Sequence, residues 1–227
     1  MKKSLIVLMF CLVFLFLIIN YNNKLEFKKN EIINNKSIYN LDKIIIIGDS
    51  RMEFINNKKD ELNIPKNIIF IAKSGATISW LRESALPELN KVIKKNKKYK
   101  NHVIFNLGVN DLDNKIDIKE LANEYYHTYK SVIKYNKDIS FYFLSVNPID
   151  ENRIYFHFNI NNKRTNKKIE KFNNYFLNFV NKDDLKNIKY CDSYNNLEFY
   201  LPDGLHYDTE TDKKIIEYII KKCIKIN

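Results

Sequence analysis

Five short apolar runs punctuate the chain: KIIIIG (43–48), NIIFIA (67–72), HVIFNLG (102–108), SFYFLSV (140–146) and IKYCD (188–192). Each is rich in Ile, Val, Phe or Tyr and short for a helix, so each reads as a β-strand. The first four hardly alternate apolar with polar residues. A strand with one wet face would alternate, so these strands are expected to be covered on both sides, as in a parallel sheet. The segments between them change period. Ile78, Leu81, Ala85, Leu89, Val92 and Ile93 recur at helical spacing in 78–95, and Ile118, Leu121, Ala122, Tyr125, Tyr129 and Val132 do so in 118–135. Segments 166–180 and 210–223 follow the same pattern. The alternation predicts an α/β fold, a five-stranded parallel sheet with helices on both faces. The 227 residues, 45% of them hydrophobic, suffice for one such domain with a substantial core.

In such sheets the groups that do chemistry gather beyond the carboxyl ends of the strands. Those ends hold polar, turn-forming residues here. GDS (48–50) follows the first run, KSGA (73–76) the second and LGVND (107–111) the third, while LPDGLHYD (201–208) precedes the last helical segment. Each has a plain structural reading by itself. Asp49 or Ser50 can cap a helix that begins at Arg51, Gly75 can serve an ordinary loop, and Pro202-Asp203-Gly204 is a good β-turn sequence.

Together the blocks supply a set. A serine hydroxyl is a weak nucleophile until a base takes its proton, and histidine is the usual base. The imidazole in turn needs a carboxylate to fix its tautomer and to stabilise its charged form. Asp203 lies three residues before His206, close enough for one turn to present both. A tetrahedral intermediate also needs donors aimed at its oxyanion; the N–H of Ser50, the N–H of Gly75 and the side-chain amide of Asn110 are the candidates. Asp49 and Asp111 read as structural, bonding backbone N–H groups of the Ser50 and Asn110 loops.

GDS at 48–50, Gly75, GVND at 108–111 and DGLH at 203–206 resemble, in order and spacing, the four blocks of the SGNH hydrolases, the GDSL-type esterases and acyltransferases. The resemblance runs from about residue 43 to 223 and extends to small membrane-tethered or secreted bacterial members. It implies a three-layer α/β/α sandwich around a flavodoxin-like sheet. It implies Ser50 as nucleophile, His206 as base and Asp203 as its orienting acid, with Ser50, Gly75 and Asn110 lining the oxyanion hole. No metal or organic cofactor is implied. One departure is Arg51, where many members continue with Leu or a small hydroxyl residue. Arg51 is expected either to bind an anionic group of the substrate or to pair with Glu53 or Asp111.

The substrate is written less clearly. The connection 147–166 is long, and Tyr155 and Phe156 within it are candidates for a stacking wall beside Ser50, as is Trp80 after Gly75. An O-acyl ester, most simply an acetyl ester on a wall or surface carbohydrate, is the expected substrate. Acyl transfer by the same residues, a non-catalytic surface-tethered binding protein and a flavodoxin-like phosphate binder are the alternatives. The last leaves Asp203 and His206 unexplained and lacks a glycine-rich first loop.

Before all this stands MKKSLIVLMFCLVFLFLIINYNNK, whose apolar run Leu5–Ile19 spans roughly 22 Å as a helix at about 1.5 Å per residue. No small-residue cleavage site follows it. Residues 1–21 are therefore expected to be an uncleaved membrane anchor, 22–41 a polar tether and 42–227 the catalytic domain, held outside the cell. The formal net charge of +11 accompanies no nucleic-acid motif and reads chiefly as a lysine-rich solvated surface. Cys191 and Cys223 can pair outside the cell or remain as separate buried thiols.

Overall fold

The computed structural model describes residues 42–113, 117–158 and 163–225. The expected anchor and tether, 1–21 and 22–41, lie outside the described residues. Among the described residues no helix is long and apolar enough to cross a membrane.

The described residues form one five-stranded sheet, all parallel, in the order β2-β1-β3-β4-β5. Its strands are β1 (Asp42–Gly48), β2 (Ile68–Ala72), β3 (Lys100–Asn106), β4 (Ser140–Leu144) and β5 (Ile188–Cys191). This is the doubly wound, flavodoxin-like order, with its switch point between β1 and β3. The unbroken apolar runs have the expected cause. Ile44, Ile45, Ile46 and Ile47 are all fully buried, each contributing roughly 1.5–3 kcal/mol of burial. Because side chains alternate along a strand, Ile45 and Ile47 join Val103, Phe105, Phe141 and Phe143 in a core under one helical layer. Ile44, Ile46 and Ile104 face the other layer.

Under the first face lie α2, α3 (Ile118–Ile133) and α5 (Asn166–Asn181). Helix α2 occupies 78–95 in three parts, Ile78–Trp80, a π-helical turn Leu81–Ala85, and Leu86–Lys95. The wide turn precedes Pro87, which has no N–H to give the carbonyl four residues back. Against the second face lie α1 (Ser50–Asn57) and α7 (Thr209–Tyr218, continued by a π-helical turn Ile219–Ile224). Met52, Ile55, Ile215, Ile219 and Ile220 are buried in this layer.

Two elements were not expected as such. The 147–166 connection contains a helix, α4 (Glu151–Phe158), started by Asp150, whose Oδ1 accepts from the N–H groups of Asn152 and Arg153 at 3.1 Å each. A short turn of helix, α6 (Ser193–Asn196), follows β5, capped by Asp192. Cys191 of β5 and Cys223 at the end of α7 are paired in a disulfide, their Cα atoms 5.6 Å apart.

Candidate active site

Register places the site. Gly48 is aligned with Ala72 on one side and with Asn106 on the other. The residues that follow each therefore emerge side by side at the switch point of the sheet. From β1 comes the candidate nucleophile block. Asp49 is the N-cap of α1, its Oδ1 accepting from the Arg51 N–H at 3.0 Å, so the cap is Asp49 and the Ser50 hydroxyl is not used for capping. Burial pushes the Asp49 carboxyl upward, opposed by the charge and the N–H of Arg51. Ser50 becomes the first residue of α1, where backbone N–H groups have no intrahelical acceptor.

The His206 loop meets it from the other end of the chain. Ser50 Oγ and His206 Nε2 are 2.8 Å apart, and His206 Nδ1 and Asp203 Oδ2 are 2.7 Å apart. An ionised carboxylate only accepts, so Nδ1 carries the proton toward Asp203 and Nε2 is left to accept from the serine hydroxyl. Asp203 Oδ1 also accepts from the N–H groups of Leu205 and His206, at 2.8 and 2.7 Å. Burial raises the Asp203 pKa, but the bonds from the His206 ring and from these two amides outweigh it, and the carboxyl titrates below its ordinary range. Phe54, one helical turn beyond Ser50, stacks on the imidazole with ring centroids 4.4 Å apart. Its spacing from Ser50 is a signal that the sequence carried.

The candidate oxyanion donors come from β2 and β3. Gly75 has φ +70°, a left-handed conformation that glycine adopts readily, and nothing lies within 4 Å of where its Cβ would be. Its reason for being glycine is thus the backbone turn rather than a tight fit to the protein. Glu53 of α1 holds this loop, its Oε2 accepting from the Ser74 N–H at 2.8 Å and from the Ser74 hydroxyl. Asn110 Nδ2 donates to the Ala76 carbonyl at 3.0 Å, which uses one of its two amide hydrogens. Asp111 is buried and ties the Asn110 loop to two helices, accepting from the Ile78 N–H at 3.3 Å and from the Tyr125 hydroxyl at 2.6 Å. Burial raises its pKa against the Tyr125 bond.

Arg51 departs from expectation. It is only 2% exposed, and its guanidinium donates to the carbonyls of Leu205, Asn147 and Pro148 at 3.0, 2.9 and 3.0 Å. It therefore neither faces a substrate anion nor pairs with Glu53 or Asp111. It binds α1 to the His206 loop and to the chain leaving β4. Trp80 is half-buried and packs against the core. Tyr155 and Phe156 are 51% and 82% exposed on α4, their rings in edge-on contact. That helix packs directly on the His206 loop: the Asp150 N–H donates to the Gly204 carbonyl at 2.9 Å.

The GDSL-like lipase/acylhydrolase family model matches residues 44–219. No curated protein matches the chain. Among solved structures it is similar to a GDSL-like lipase from Bacteroides thetaiotaomicron (TM-score 0.60, 16% identity, covering 81% of this chain and 87% of that one). A lipase/acylhydrolase from Enterococcus faecalis is also similar (TM-score 0.54, 16% identity, 79% and 94% covered), as is an acetyl xylan esterase (TM-score 0.54, 16% identity, 78% and 97% covered). At these identities the likeness speaks for the fold, a parallel α/β sandwich.

Proposed function

The chain belongs to the GDSL-like lipase/acylhydrolase family, and from that premise we propose that it is a serine esterase that removes O-acyl groups, most simply acetyl groups, from a wall or surface carbohydrate. That it is a carboxylic ester hydrolase follows from the family. The specific chemistry rests on one observation, the unbroken chain from Ser50 Oγ through His206 to Asp203 at 2.8 and 2.7 Å.

In this reading Ser50 Oγ attacks the ester carbonyl while its proton passes to His206 Nε2. Asp203 holds the ring and stabilises the imidazolium. The N–H groups of Ser50 and Gly75 and the free amide hydrogen of Asn110 receive the oxyanion. Collapse breaks the bond to the alcohol, which leaves with the proton from His206, and Ser50 retains the acyl group. Water then repeats the cycle: His206 takes its proton, the acid departs and Ser50 recovers its hydroxyl. An alcohol in place of water would make the same residues an acyltransferase.

Tyr155 and Phe156, exposed beside the His206 loop, are the side chains suited to stack on a sugar ring. The fold is shared with an acetyl xylan esterase, whose substrate class is the one proposed. The Leu5–Ile19 run behind Lys2 and Lys3 supports a membrane anchor with the catalytic domain outside, and the Cys191–Cys223 pair suits an oxidising compartment.

Ser50→Ala is expected to abolish turnover of 4-nitrophenyl acetate and labelling by a fluorophosphonate while leaving the thermal transition intact. Retained turnover in a folded Ser50→Ala protein would remove the serine mechanism.

A further inference from the structure

A primary amide presents an acceptor at one end and two donors at the other, and only its partners decide which end faces where. At Asn110 the Ala76 carbonyl takes the donor end and Arg164 holds the acceptor end. Its Nη2 donates to Asn110 Oδ1 at 3.3 Å, and its Nε donates to the Val109 carbonyl at 2.9 Å. Its Nη1 lies 3.6 Å from Asp113 Oδ2, and the side chain is 14% exposed. A guanidinium has donors only. A flipped Asn110 would bring its NH2 group against that cation, so charge opposes the flip and keeps the donor end on the side of the Ala76 carbonyl. The contact has a second effect. Drawing electron density toward Oδ1 polarises the amide, and hydrogen bonds in such a chain strengthen one another.

We propose that Arg164 is a positioning residue for the oxyanion hole: it sets the orientation of the Asn110 amide and strengthens the amide hydrogen that meets the developing charge. The proposal rests on the reading above, in which Ser50 is acylated and Asn110 is an oxyanion donor. Arg164 touches no reacting atom and moves no proton. It acts through Asn110, and this gives it a signature that a residue merely holding the fold lacks.

That signature is a double-mutant cycle on 4-nitrophenyl acetate hydrolysis, with Ser50→Ala alongside. Arg164→Met is expected to lower kcat about tenfold with KM within about twofold, the size of a coupling between bonded neighbours. Asn110→Ala alone is expected to lose roughly 10²–10³ in kcat. Adding Arg164→Met to Asn110→Ala is expected to cost less than about twofold, since nothing is left to position. Arg164→Lys keeps the charge without the fork and should recover part of the loss. Circular dichroism confirms folding, and if the Met variant does not fold, the Lys variant carries the same cycle. An equal loss in both backgrounds, or a change in KM alone, overturns the proposal. Abolished turnover in Ser50→Ala with an undiminished kcat in the folded Arg164 variants overturns it while leaving the esterase reading intact. Turnover surviving Ser50→Ala overturns both.

Discussion

Arg51 is a buried cation whose guanidinium donates to three main-chain carbonyls, with Tyr207 beneath it at 5.2 Å. Arg51→Met would roughly fill the volume and leave three carbonyls without a donor, at roughly 1–3 kcal/mol for each one that water does not reach. Urea denaturation should show that loss. Arg51→Lys should restore little of it, because one ammonium cannot span three acceptors held by a planar fork. The proposed nucleophile, base and acid, which the fold brings within hydrogen-bonding distance, could be named without coordinates because the chemistry constrains the residue types: a serine at a strand end, and a carboxylate three residues from an imidazole. Arg51 was not legible. The sequence offered the carboxylates of Glu53 and Asp111, whereas its partners are main-chain carbonyls 96, 97 and 154 residues away. Arg164 and Glu53 escaped for the same reason, since only the fold brings them to Asn110 and Ser74. Phe54 could have been found from its one-turn spacing to Ser50.

At the scale of elements, α4 and the His206 loop behave as one piece. Gly204 has φ +88°, and a Cβ there would lie 2.2 Å from the Ile154 backbone nitrogen and 2.8 Å from the Asp150 carbonyl oxygen. Both contacts are backbone, which cannot rotate aside. Gly204→Ala is therefore expected to push α4 and the loop apart. The cost should be at least about 1–3 kcal/mol, with a fall in kcat larger than the fall in folded fraction; thermal unfolding and steady-state rates read the two separately. The strands were legible because burial on both faces leaves unbroken apolar runs, and the long helices because each turns one apolar stripe to the core. Helix α4 was hidden. It sends Ile154 inward, 2% exposed, while Tyr155 and Phe156 project outward, so its eight residues show no stripe and read as loop.

Across the whole molecule, the sheet and the second helical layer are joined by chemistry as well as packing, through β5 and the last turn of α7. The Cys191–Cys223 pair closes a loop of 32 residues, which by chain entropy corresponds to roughly 3–4 kcal/mol. Cys223→Ser should lower stability by about that amount in the oxidised protein and by much less when dithiothreitol is present, as judged by denaturant midpoints. The sequence allowed this pair without requiring it, since pairing depends on β5 and the last turn of α7 converging. The flavodoxin-like sheet, by contrast, was implied by the resemblance of the four blocks, since the alternation of runs by itself gives a parallel sheet but not its strand order. The open ground above Gly75 has a consequence for what the enzyme can work on. A closed chamber sorts substrates by size, whereas a ledge sorts them by reach. In the proposed reading, an acyl group borne on an insoluble, cross-linked matrix would be worked on in place, with one short stretch of polymer lying flat across the rim of the sheet.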